Sequence, residues 1–251
     1  LGTCHNCNTS FQLHTYQRKG ASEKEYVRPV DIVEDYNITG DPEKKVLKWF
    51  ETRGISAQTL IDLSVGEGPE YMPQTGKTEN TIKFNYFMGD QLINIKYRDG
   101  RKNFKLYKGA EKVFYNINSI VGYDDCIITE GEMDVLALHE AGIKNVISVP
   151  NGATLSHNNL DYLDNCIDYF EDKTKIILAV DTDDPGLALR AELVRRLGAE
   201  VCFLVDFEGC KDANEYLMKH GKEKLRQVVK QARTYPLENV TTFKDIENDV
   251  T

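Results

Sequence analysis

The chain reads as an α/β protein: a parallel sheet in its second half, covered by helices on both faces and preceded by a smaller mixed α and β region. Three observations predict this. From residue 126 onward, short apolar runs alternate with amphipathic segments in the order CIIT, 132–141, NVISVP, 158–170, KIILAVD, 186–197 and EVCFLVD. Strands separated by helices of that length must cross over, which lays the helices on the faces of a parallel sheet. Upstream, TIKFNYF and QLINIKY alternate with a period of two and turn at MGD, the pattern of antiparallel strands. Finally, 251 residues at 41% hydrophobic can bury a substantial core, as one domain or two intimate subdomains.

The elements follow in order. Cys4 and Cys7, in CHNC, sit at the spacing of one knuckle of a zinc ribbon, where two thiolates meet one tetrahedral ion. No second pair follows at suitable spacing, so this is a half-site whose partner pair is expected upstream of Leu1, or else two idle thiols. The opening LGTCHNCNTS has no initiator Met and reads as a cut end. Residues 15–30 are polar and turn-like, a linker. DPEKKVLKWFETRG predicts a helix with Asp41 as N-cap, Pro42 in the first turn, Val46, Leu47 and Phe50 on one face, and Gly54 as its stop. SAQTLIDLSVG predicts a second, from Ser56 as cap to Gly66. PQTGKT, residues 73–78, imitates the end of a phosphate-binding P-loop. Tyr71 stands where that motif needs a glycine, and a strand pattern follows instead of a helix, so it is read as a surface loop.

Charge separates function classes. A net charge of −9 argues against nonspecific adhesion to nucleic acid over the whole surface. Yet KYRDGRKNFKLYKGAEK, residues 96–112, carries seven Lys or Arg against Asp99 and Glu111, with Tyr97, Phe104 and Tyr107 interleaved. A solvated hairpin turning at Asp-Gly accounts for the same residues. The longest apolar runs, such as Ile176 to Val180, fall far short of the roughly 20 residues that cross a bilayer, so no membrane partner is expected. Cys126, Cys166, Cys202 and Cys210 lie scattered in apolar segments and read as buried thiols of a reducing compartment, the cytoplasm.

The chemistry concentrates at strand ends. TEGEMD places Glu130 after one strand, and ILAVDTDDPG places Asp181 and Asp183 after another. Residues two apart on an extended chain share a face, so Asp181 and Asp183 can reach one ion while Thr182 points away. Magnesium favours one or two carboxylates plus waters and substrate phosphates, which suits phosphoryl transfer. Glu130 can join as a ligand or accept a proton from an attacking hydroxyl. Asp134, one helical turn on, extends the cluster. Glu132 and Asp184 are accounted for by the preference of acids for helix starts.

These residues carry a resemblance. TEGEMDVLAL with AVDTDDPG is similar to the Toprim signature of primases, topoisomerases, recombination mediators and some nucleases. WFETRGISAQTLIDLSVG resembles the helical start of the primase RNA-polymerase domain. IKYRDGRKNFKLYKG and CKDANEYLMKHG resemble segments of phage primase-helicases and Twinkle proteins. The resemblance covers about 42–220. It implies a remnant zinc ribbon at 1–14, a mixed primase subdomain at 15–120, a Toprim domain at 121–212, and a helix and linker toward a helicase domain at 213–251. It also implies synthesis of short RNA primers on single-stranded DNA from ribonucleoside triphosphates. Glu130, Asp181 and Asp183 would be catalytic and, with Asp134, would bind Mg or Mn. Lys96, Arg98, Lys102, Lys105, Lys211 and Asp212 would meet nucleotide or nucleic acid. Zn in the full-length protein, a replicative helicase in the same chain and a phage or bacterial origin complete that expectation. A Toprim nuclease and a catalytically inactive DNA-binding arm of a Twinkle-like helicase are the alternatives.

Overall fold

The computed structural model describes residues 2–3, 10–11, 25–30, 45–151 and 160–236. Cys4 and Cys7, the expected caps Asp41 and Pro42, and the polar tail lie outside the described residues. Gly2–Thr3 (β1) and Ser10–Phe11 (β2) pair antiparallel.

The first large layer is an antiparallel sheet. Lys45–Glu51 (α1) and Ala57–Asp62 (α2) lead into Val65–Met72 (β3), Lys77–Met88 (β4), Gln91–Arg98 (β5) and Phe104–Leu106 (β6), in the order β3-β4-β5-β6. Ser56 caps α2 as expected, its hydroxyl accepting from the Thr59 amide. The end of that helix differs from the expectation. Gly66 does not stop α2, which closes at Leu63 and Ser64, and Val65–Met72 is a strand. Its Pro69 is tolerated because β3 pairs only with β4 and lies at the sheet edge, where a missing amide breaks no second ladder. The PQTGKT segment is the turn joining β3 to β4 and the start of β4.

The second layer is the parallel sheet. Asp125–Thr129 (β7), Glu132–Glu140 (α3), Val146–Ser148 (β8), Asp161–Asn165 (α4), Lys175–Ala179 (β9), Asp184–Leu197 (α5), Cys202–Leu204 (β10), Ala213–Lys230 (α6) and Arg233–Thr234 (β11) follow in turn. The sheet order is β11-β10-β9-β7-β8, with only β11 antiparallel to its neighbour. The helix expected over 158–170 is broken: α4 ends at Cys166 and Ile167–Phe170 continues as a 3-10 turn. Helix α3 carries Val135, Leu136, Ala137 and Leu138 fully buried, because it packs against α6 as well as the sheet.

One core joins both layers. It runs from Leu47 and Phe50 through Phe84, Tyr86, Phe114 and Tyr115 to Ile127, Leu178, Leu193 and Val229. Polar links lock the seam: Tyr115 donates to the Leu63 carbonyl (3.0 Å), and the Asn214 amide donates to the Arg53 carbonyl (3.0 Å). Glu140 of α3 accepts from Ser56, Thr59 and Lys222. Cys126, Cys166, Cys202 and Cys210 are buried free thiols, and burial raises Cys126 and Cys166 to about 12. No helix among the described residues is long and apolar enough to cross a membrane.

Candidate active site

Strand order makes the site. The chain steps from β7 to β8 on one side, then to β9 on the other, so the crevice where ligands of such sheets gather opens beyond the carboxyl ends of β7 and β9. Thr129 stands level with Ala179 in the register. Glu130 and Asp181 therefore leave neighbouring strands at almost the same height. One carboxylate oxygen each from Glu130, Asp181 and Asp183 lies within 4.8 Å of the others, and this is the group among the described residues whose spacing could hold a metal ion. The donors are all hard oxygens, the chemistry that magnesium or manganese requires.

The local backbone enforces this. Asp183 is the N-cap of α5, its Oδ1 accepting from the Gly186 amide at 3.0 Å, with Pro185 in the first helical turn. A Cβ on Gly186 would sit 2.2 Å from the Asp181 carbonyl oxygen, so the tight return of the chain beneath Asp181 needs a glycine. Lys211 Nζ lies 3.1 Å from Asp181 Oδ2. Burial raises the Asp181 carboxyl above its ordinary range against the pull of Lys211. Asp134 is buried behind the cluster, 7% exposed, with Oδ1 accepting from the Asn214 backbone N–H at 3.3 Å. Burial, together with the charges of Asp212, Asp181 and Glu130, pushes its carboxyl well above the ordinary range. Asp212 caps α6 through the Glu215 amide at 2.8 Å.

Facing the acids is a basic wall. A cavity of about 360 Å³ is lined by Lys96, Arg98, Lys102 and Lys211 as well as Glu130, Asp134, Asp181 and Asp212. Lys105 is elsewhere: it pairs with Glu70 at 2.5 Å and lies over the Tyr97 ring. Tyr97 is buried, 3% exposed, and packs with Met72, Leu92 and Ile95, whereas Phe104 lines the cavity.

Residues 127–217 match the family model described as Toprim-like. The "Primase homolog protein" of Arabidopsis thaliana is 36% identical over 212 residues, covering 78% of this chain and 61% of that protein. The "Twinkle homolog protein, chloroplastic/mitochondrial" of the same plant is 33% identical over 223 residues, covering 82% of this chain and 31% of that protein. Among solved structures, the primase fragment of the bacteriophage T7 primase-helicase superposes with a TM-score of 0.59 at 25% identity, over 71% of each chain. Residues 127–217 are thus Toprim-like, and the chain is similar to proteins of the Twinkle and primase-helicase type. It spans less than two thirds of the length of either plant relative.

The surroundings of the Toprim acids include residues the sequence did not mark. Glu132, assigned only to the helix start, is buried and holds the basic wall in place. Its carboxylate accepts from Tyr86 Oη at 2.5 Å and from Lys96 Nζ at 2.8 and 3.0 Å. Arg53 and Trp49, from α1 and the turn after it, also line the cavity. The Arg53 and Arg98 guanidiniums each lie 4.4 Å from the Trp49 ring centroid, a cation–π arrangement. Burial and the like charge of Arg53 lower the Arg98 pKa. The spacing of basic residues and aromatics was the only available signal for Arg98. Arg53 and Trp49 had none, because their roles come from α1 docking on the hairpin.

Proposed function

We propose that this chain is the primase part of a primase-helicase, joining ribonucleoside triphosphates into short RNA primers on a single-stranded DNA template. The reading is carried by one juxtaposition: Glu130, Asp181 and Asp183 lie within 4.8 Å of one another, and the first two line a cavity together with Lys96, Arg98 and Lys102. A divalent cation, magnesium or manganese, would be held by these three carboxylates and would neutralise charge on phosphate oxygens. Similarity to the plant primase homolog, the plant Twinkle homolog and the T7 primase fragment supports the same reading.

The chain's own residues divide the work. Arg53, Arg98 and Lys102 bind phosphate oxygens of nucleotide or template, because charge-assisted contacts from guanidinium and ammonium groups favour them. Lys96 faces the same cavity, held by Glu132, itself fixed by Tyr86, so that its ammonium meets the nucleotide in a fixed place. In the transfer itself, a 3′-oxygen bonds to an α-phosphorus while the bond to pyrophosphate breaks. The hydroxyl proton passes to the Glu130 carboxylate. Lys211 neutralises Asp181 and, at 60% side-chain exposure, is free to swing toward the departing pyrophosphate. Asp134 and Asp212 support the cluster from behind and beside it. The helicase would lie in the same full-length polypeptide, as in the T7 primase-helicase from which the similar fragment comes, and zinc would be held through Cys4 and Cys7 with a second pair. The compartment expected from the thiols is cytoplasmic, while one plant relative is named as chloroplastic/mitochondrial.

The test is primer synthesis by the chain on single-stranded DNA with ribonucleotides and magnesium or manganese. New short RNA is expected, and Asp181→Ala or Glu130→Ala should abolish it while the far-UV spectrum stays native. Shortened DNA in place of new RNA would reassign the site to phosphodiester cleavage.

A further inference from the structure

The acidic cavity has a neighbour. A second cleft, of about 200 Å³, is lined by Val46, Trp49, Asn80, Ile82, Arg98 and Asp99 among others, and it shares Trp49 and Arg98 with the first. Its walls differ in kind from those of the acidic cavity. Val46 and Ile82 are aliphatic, Trp49 contributes its indole, and the Arg98 guanidinium lies over that indole, 4.4 Å from its centroid. Asn80, on the exposed part of β4, sets an amide at the rim. At this size the cleft falls below the roughly 300–1,000 Å³ that encloses a whole small-molecule ligand, and it suits a single heteroaromatic ring system.

Charge says what is attached to that ring. Three lysines of the basic region are already neutralised: Lys96 by Glu132, Lys105 by Glu70, Lys211 by Asp181. Among the described residues, no carboxylate makes a salt bridge to Arg53 or Arg98; both guanidiniums rest against Trp49 instead. Asp99, the acid of the cleft, is buried and its carboxylate is taken up by the Arg101 and Asn103 backbone amides and the Asn103 side chain. A largely apolar slot beside two guanidiniums without a salt bridge matches a base carried on an anionic backbone. Aromatic and guanidinium planes accept every base, because each has a π-face.

We propose that this cleft is a subsite for one unpaired base of single-stranded DNA, turned out beside the acidic cavity, with Arg53 and Arg98 on its flanking phosphates. The proposal rests on the primase reading for the identity of the strand, and it adds Trp49 as the residue that holds the base.

Trp49 is the single tryptophan of the chain, so its emission reports the subsite directly. Oligothymidylate alone, without nucleotide or metal, should quench that emission, and, because Trp49 also borders the acidic cavity, saturating ATP with magnesium should leave a further quench by oligothymidylate. Trp49→Leu should weaken binding of labelled oligothymidylate roughly tenfold by anisotropy, and Trp49→Phe should restore most of it. Because Trp49 also packs on the core, Asn80→Phe gives an independent arm. It fills the slot from an exposed position, should leave the melting temperature unchanged, and should weaken DNA binding to a similar extent. Unchanged Trp49 emission on DNA that anisotropy shows to be bound would overturn the subsite, as would quenching by ATP–magnesium but not by DNA, or wild-type affinity in Asn80→Phe. The two readings fail separately. Quenching by DNA with no primers made removes the polymerase and keeps the subsite; primers made with silent Trp49 emission do the reverse.

Discussion

At the scale of single residues, the site depends on groups that never touch substrate. Gly186 is one. Its hydrogen leaves room for the Asp181 carbonyl, and a methyl there would stand 2.2 Å from that oxygen. Gly186→Ala should therefore cost about 1–3 kcal/mol in chemical denaturation, as overpacking does, and primer synthesis should fall with it because Asp181 must move. Wild-type activity and stability would show that the return of the chain is looser than described. Glu132, which acts through Lys96, is a second case. Both are buried and paired, so Lys96→Met leaves a buried carboxylate with its ammonium gone. The expected loss is about 3–5 kcal/mol. Lys96→Met combined with Glu132→Gln should recover much of it, because the neutral amide still accepts from Tyr86. Equal stabilities of single and double variants in urea would contradict the pairing.

At the scale of elements, the clasp between α2, α3 and α6 predicts an acid dependence. Burial works to raise the Glu140 carboxyl, but Lys222, Thr59 and the Ser56 amide and hydroxyl together hold it at about 2 against an ordinary 4.5. A carboxyl depressed in the folded state stabilises it fully above the ordinary pKa and loses that contribution as pH falls toward the folded one. Glu140→Gln should thus unfold more easily at pH 7, by an amount on the order of 2–3 kcal/mol. The gap to wild type should close between about pH 4.5 and pH 2, the range set by the two values. A gap constant with pH would sink the linkage. The elements also show what a sequence can reveal. TIKFNYF and QLINIKY were legible because period-two alternation survives in a strand paired on both sides. The strand Val65–Met72 was hidden because Gly66, Gly68 and Pro69 break its pattern; it is a strand by pairing with β4 rather than by propensity.

At the scale of the whole molecule, one continuous core makes both layers a single support for the cavity, and ion binding should stabilise all of it. Magnesium at a hundred times its Kd should raise the unfolding free energy by about 2.7 kcal/mol. Calorimetry should show the melting point rising several degrees in the wild type and not in Asp181→Asn. A shift that survives in the variant would place the ion elsewhere. The same scale explains the limits of reading from sequence. Glu130, Asp181 and Asp183 could be read as a group because strand ends are predictable and α/β sheets gather ligands there. Arg53, Trp49 and Glu132 could not, because each acquires its role from an element far away in the chain: the hairpin for the first two, β4 and β5 for the third.

The register of β7 against β9 has a consequence for ion choice. Glu130 and Asp181 ride on adjacent strands, so the gauge between them is a backbone dimension, roughly the 4.8 Å that separates any two hydrogen-bonded strands. Evolution can exchange the side chains but cannot change that spacing without moving a strand, and a slide of one step would turn the acid that follows the sliding strand to the opposite side. Adjustment to ions of different radius therefore falls to Asp183, the member of the trio that hangs from a helix cap instead of a strand.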